Sequence, residues 1–174
     1  MKTLAYILSL LGLVSLILAS LIKGEKMKKN LFLIFCGSIF VGTSYLLDET
    51  GINGAATFFL GAVQTLINYY FDSKDLPIPK LVILLHCLAI IVVNIIVSGG
   101  VTPLGMLAAC ASLIFIFSIS QKNGAGYRRI MIINLLMWCV YDYLSAAGGA
   151  LITHIVLFSF NLIGVIINDI KKKK

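Results

Sequence analysis

Long apolar stretches recur along the chain, separated by short polar or glycine-bearing connections. Seven stand out: Thr3–Ile22, Lys29–Leu47, Ile52–Phe71, Leu81–Ser98, Thr102–Ser120, Arg129–Ser145 and Gly148–Asp169. A helix needs roughly 17–25 apolar residues to cross a bilayer. Only helices or closed barrels satisfy their backbone there, and these runs are too long for barrel strands. The pattern therefore predicts an all-α polytopic membrane protein with seven transmembrane helices. The polar residues inside the runs are aligned. Asn53, Thr57, Gln64 and Asn68 fall on one helical face of the third run, and His154, Asn161 and Asn168 on one face of the seventh. Amides and imidazoles in hydrocarbon are costly unless they find partners. Stacked along two separate helices, they predict a shared polar path.

The connections alternate in charge. The first carries Lys23, Glu25, Lys26, Lys28 and Lys29; the second carries Asp48 and Glu49. The third is mixed, with Asp72, Lys74, Asp75 and Lys80; the fourth, Gly99 to Pro103, is uncharged. The fifth has Lys122, Arg128 and Arg129, the sixth has no charge, and the chain ends in Lys171–Lys174. With the first loop in the cytoplasm, every lysine and arginine except Lys2 falls on the cytoplasmic side. That bias predicts an N-terminus outside and a C-terminus inside. The first run resembles a secretory leader but lacks a small-x-small cleavage site before Lys23, so it is read as a retained span.

The two ends of the chain echo one another. Lys28-Lys29, Tyr45, Gly51, Gln64 and Asn68 mark the first half; Arg128-Arg129, Tyr143, Gly149, Asn161 and Asn168 mark the second, offset by about 100 positions as in a duplicated transporter unit. The predicted organisation is a single transmembrane domain of 3+1+3 type. Residues 1–74 form a first three-helix unit, 75–100 a linker helix and 101–174 a second, parallel unit. Stripes of small residues accompany it: Gly12, Ser15 and Ala19 on the first run, Gly37, Ser38 and Gly42 on the second, Ala108, Ala111 and Ser112 on the fifth. Such residues let helices approach closely in a membrane.

Composition excludes other classes. The 174 residues are 60% hydrophobic and 12% charged, against roughly 25% charged in soluble domains. The net charge of +7 sits at span ends, so it reads as a topology signal rather than a nucleic-acid surface. Cys36, Cys87, Cys110 and Cys139 lie within apolar runs without a CxxC pair and read as small buried hydrophobes. Enzyme signatures are missing: there is no GxSxG, HExxH, Walker loop or metal-ligand cluster. The chain is read as a non-enzyme with no cofactor and no metal.

Among candidate functional residues, Gln64 and Asn161 lie near the middle of their spans. An amide both donates and accepts, which suits a neutral polar solute, although the same group can serve as interhelical glue. Asn68 extends that contact surface. Asp142 and His154 sit at matching depth on adjacent spans joined by a very short turn. A carboxylate beside an imidazole can relay protons or gate a path, or form a structural hydrogen bond. Trp138 and Tyr141 share a face with Asn134 and Ser145, where an aromatic can stack on a ligand or fill the core. His86 and Asn94, on the linker run, have no counterpart in the repeat and read as structural.

Tyr127-Arg128-Arg129, Trp138-Cys139-Val140-Tyr141-Asp142 and Ser159-Phe160-Asn161-Leu162-Ile163-Gly164, with Asn30, Cys36-Gly37 and Tyr45 in the first half, carry a resemblance over nearly the whole chain. The chain resembles the YgjV-type bacterial inner-membrane family, whose members are similar to the SWEET, SemiSWEET and PQ-loop transporters. The resemblance implies an alternating-access carrier whose substrate site holds an asparagine on the third and last helices. Gln64 and Asn161 stand nearest those positions. The Pro-Gln pair of the PQ-loop group is absent, and His154 stands where the family often has a carboxylate. The expected function is transport of a small solute across the bacterial inner membrane; the alternative is a non-transporting accessory or assembly protein. Expected partners are membrane lipids and a small polar solute, with no nucleic acid and with homo-oligomerisation left open.

Overall fold

The computed structural model describes residues 2–23, 27–47, 52–146 and 148–170. Glu25, Lys26, Asp48, Glu49, Gly51 and the Lys171–Lys174 run lie outside the described residues, as does the side chain of Asn53. Among the described residues every predicted apolar run is a helix: α1 (Lys2–Leu21), α2 (Lys28–Leu47), α3 (Ile52–Ser73), α4 (Lys80–Val97), α5 (Pro103–Ile119), α6 (Gly124–Leu144) and α7 (Gly148–Val165). A π-helical stretch, Ile166–Ile170, continues α7.

The helix ends follow from local chemistry. Helix α6 begins at Gly124, earlier than the apolar pattern predicts, because the Asn123 side chain accepts the Gly126 N–H at 2.9 Å and caps the first turn. Helix α5 opens with Pro103, whose missing N–H costs nothing at that position, behind Thr102, whose hydroxyl accepts the Gly105 N–H at 3.0 Å. Helix α4 stops where Gly99 turns left-handed at φ 69°, letting the Gly100 N–H reach back to the Ile95 carbonyl at 2.9 Å.

Four helices are long and apolar enough to cross a membrane by themselves: α1, α2, α4 and the stretch Ala150–Ile170. Helix α5 is apolar but has 17 residues. Helix α3 carries buried Gln64 and Asn68, and α6 carries buried Arg128, Asn134 and Asp142, which lower their hydropathy.

Helix α2 packs between α1 and α3, and α6 packs between α5 and α7. Contacts of α1 with α7 and of α3 with α5 join the two sets, while α4 lies against α3 and α5. The α1–α2 crossing depends on glycine: a Cβ on Gly37 would come 2.8 Å from the Leu16 side chain, and one on Gly12 would come 3.1 Å from the Gly37 carbonyl. The outer surface is apolar. Leu81, Leu84, Leu85, Leu88, Val92 and Ile96 on α4 are exposed, as expected of a helix solvated by lipid rather than water. The cysteines are free, and Cys110 is exposed rather than buried, since a lipid-facing surface accepts such a side chain as readily as a core does.

Burial is uneven along the bundle. The side chains Met27, Leu31, Ile34, Ile116, Ile119, Tyr127 and Arg128 are all fully buried, and they sit where α2 and α6 begin and α5 ends. Towards the other end the buried apolar side chains among the described residues are small: Ala5, Ala55 and Ala108.

Candidate functional site

Hydrogen bonds show that α1, α5 and α7 finish, and α2 and α6 begin, at one common end. It is called the basic end here, after Lys28, Lys29, Lys122 and Arg128. A helix leaves its last carbonyls without intrahelical donors, and they carry a partial negative charge. Where they are buried inside the bundle no water satisfies them, so side chains from neighbouring helices must. At the end of α1, Asn30 Nδ2 donates to the Ala19 carbonyl at 2.6 Å, Asn168 Nδ2 to Leu21 at 2.9 Å and Arg128 Nη1 to Ile22 at 2.9 Å. The Tyr127 hydroxyl, fully buried, bonds the Ser20 side chain. At the end of α5, Asn68 Nδ2 donates to the Ile119 carbonyl at 2.9 Å.

A buried ion pair lies within this network. Arg128 Nε and Nη2 meet Asp169 Oδ2 and Oδ1 at 3.1 and 2.5 Å, with side chains 2% and 3% exposed. This two-pronged geometry is the strong form of the arginine–carboxylate pair. The π-helical turn at Ile166–Ile170 lets neighbours Asn168 and Asp169 both face inward, one to α1 and the other to α6. Helix α7 passes very close to α1 here: a Cβ on Gly164 would collide with the Ser20 carbonyl.

Above the basic end lie the amides that the sequence points to. Gln64 Nε2 donates to Asn68 Oδ1 at 2.6 Å, so these two residues act as one unit joining α3 to α5. Asn161 Nδ2 donates to the Arg128 carbonyl at 2.7 Å, joining α7 to α6. Gln64 and Asn161 are fully buried, and each keeps one acceptor without a donor: Gln64 Oε1 and Asn161 Oδ1. Buried acceptors of this kind await a donor from water, a ligand or another conformation. Asn134 is committed elsewhere, donating to the Ala111 carbonyl of α5 at 2.7 Å.

At the opposite end the structure brings Asp142 and His154 together, with His154 Nδ1 2.5 Å from Asp142 Oδ2. The imidazole also stacks on Trp138, centroids 5.6 Å apart and planes at 13°. Tyr141 meets Trp138 edge-on at 5.3 Å. Tyr45 approaches Asp142 from α2 and stacks on Phe58 of α3 at 5.8 Å. These residues from four helices make an aromatic cluster around one carboxylate and one imidazole. Its surfaces suit stacking on a planar or sugar-like face. His86, on α4, contacts the Leu60 backbone, and Asn94 donates to its own helix at Ile90.

Two groups were not legible as site residues. Arg128 reads as a topology charge in the sequence, yet it is buried while Arg129 beside it is exposed. Asp169 marks a span end in the sequence; its value as the lone carboxylate of the last run was the signal available. Tyr45 is a third: it reads only as a repeat landmark in the sequence, although it joins the aromatic cluster beside Asp142.

No curated protein and no solved structure matches the chain. A family model described as a bacterial inner membrane protein of the YgjV type covers residues 4–171, so the chain belongs to the YgjV family of bacterial inner membrane proteins.

Proposed function

We propose that the protein is a multi-pass carrier for a small polar solute, working by SWEET-like alternating access. The observation that carries this reading is the unequal sealing of the bundle. Large side chains, a buried ion pair and capped helix ends close the basic end, whereas small buried residues and an aromatic cluster occupy the other, which is read as the wall of an outward chamber. With the N-terminus outside, the basic end is cytoplasmic and the molecule is closed inward.

The two-unit, 3+1+3 organisation is supported by reciprocity. Asn68 of α3 holds the end of α5, and Asn168 of α7 holds the end of α1. Each unit's last helix thus ties down the other unit's first helix. Such bonds in a membrane are worth about 0.6–2 kcal/mol each, weak enough to break and reform as the units rock. Solute would enter the chamber of Trp138, Tyr141, Asp142 and His154 and descend to the free acceptors of Gln64 and Asn161. The His154–Asp142 pair would couple that passage to protons, since a carboxylate hydrogen-bonded to an imidazole can relay them.

Two experiments test this. Single cysteines at Trp138 or Tyr45, in a chain with its native cysteines replaced, should react with an impermeant thiol reagent from outside; no labelling at either position would remove the outward chamber. A thermal-shift screen of purified protein against small metabolites should find a stabilising solute whose effect is lost in Gln64→Leu and Asn161→Leu. A shift unchanged in both variants would reject the site. With a solute in hand, Asp142→Asn/His154→Gln should abolish the pH dependence of transport, and normal dependence would end the coupling proposal.

One observation favours the accessory-protein reading: Asn30, Asn68, Asn134, Asn161 and Asn168 each donate to a backbone carbonyl of a neighbouring helix, as helix glue would. A chamber closed to the reagent together with an empty solute screen would favour it.

A further inference from the structure

A groove of about 510 Å³ opens on the outside of the bundle at the basic end, lined by Ile22, Lys28, Lys29, Phe32, Leu33 and Tyr69. Its walls are the apolar side chains of α1, α2 and α3, and Phe32 is largely exposed along it. Among the described residues its lining charges are two ammonium groups, Lys28 and Lys29. Lys28 Nζ stands 5.9 Å above the Tyr69 ring, which orients it over the groove. The nearest buried cation, Arg128, binds the Ile22 carbonyl but is already neutralised by Asp169. The described lining therefore sets two positive charges over an oily trough, at the level where α1 ends and α2 begins.

In an inner membrane protein that level is the bilayer interface. A soluble anion would leave the apolar walls in water, and a zwitterionic lipid would bring its own cation against the lysines. An anionic phospholipid satisfies both halves. We infer that the groove binds one, its phosphodiester between Lys28 and Lys29 and an acyl chain along Phe32 and Leu33. Basic recesses between membrane helices recognise headgroups through this combination of point charge and apolar contact. The inference rests on membership of the inner-membrane family and stands whether or not the protein transports a solute.

The test uses the purified full chain in a neutral detergent, titrated with dioleoylphosphatidylglycerol, dioleoylphosphatidylcholine or inorganic phosphate and read by native mass spectrometry. Phosphatidylglycerol should bind in preference to phosphatidylcholine. Lys28→Gln/Lys29→Gln should weaken phosphatidylglycerol on the order of twenty-fold, while Lys122→Gln at the same end should leave it unchanged. Unaltered Trp138 fluorescence shows that the double variant is folded. Wild-type affinity in the folded double variant would overturn the inference. So would an equal loss in Lys122→Gln, which would mean bulk charge, or complete displacement of the lipid by inorganic phosphate, which would mean a bare anion site.

Discussion

The basic end and the chamber end solve opposite problems with similar residues. At the basic end, side-chain amides and one guanidinium point at helix termini, and nearly every donor is consumed by a carbonyl or carboxylate. At the chamber end the polar groups point at one another and at aromatic rings: His154 to Asp142, His154 to Trp138, Tyr45 towards Asp142. The first arrangement fixes helices in place, because a terminal carbonyl buried in the bundle has nowhere else to turn. The second holds side chains that can be rearranged without unmaking a helix end. A buried polar residue in this protein is thus structural or available according to what it faces, not according to its type.

Substitutions can break that contrast. The largest effect is expected at Arg128. Replacing Arg128 with Ala leaves the Asp169 carboxylate buried and unpaired, at a cost of about 3–5 kcal/mol. Unfolding in detergent should show that loss, with part of it restored by Arg128→Met/Asp169→Met. Asp142→Asn, by contrast, keeps an acceptor for His154 and should cost clearly less; equal losses at the two ends would erase the distinction. Gly164→Ala comes next, because its Cβ meets the Ser20 carbonyl, a backbone atom that cannot swing away. A destabilisation of about 1–3 kcal/mol is expected, visible as a lowered melting temperature. An unchanged melting temperature would mean that the α1–α7 approach is looser than drawn. The smallest effect sharpens the repeat: Asn68→Ala and Asn168→Ala should each cost about 0.6–2 kcal/mol and match one another. A large cost from one and none from the other would argue against reciprocal units.

Much of the fold was legible. Apolar run length alone located every helix, and turn residues such as Asn123, Pro103 and Gly99 refine where three of them start or stop. The pairing of Asp142 with His154 followed from matching depth across a short turn. The fate of the polar stripes did not. Gln64 and Asn161 were visible as unusual residues in oily helices, but their partners are Asn68 and the backbone of Arg128. Every residue has a carbonyl, so no sequence pattern says which one a given amide will meet. Arg128 and Arg129 illustrate the same limit: they are chemically equal neighbours, and a single step of about 100° around the helix decides that the first is buried against α1 and α7 while the second is exposed.

The sequence by itself determined the helices, the lipid-like exterior and the set of polar groups that must find partners, because hydrocarbon enforces run length and penalises lone polar atoms. Only the tertiary structure decided which of those groups lock helix ends and which gather among aromatic rings. That assignment depends on where α1 and α5 terminate against α7 and α3, a matter of packing geometry that composition and periodicity do not encode.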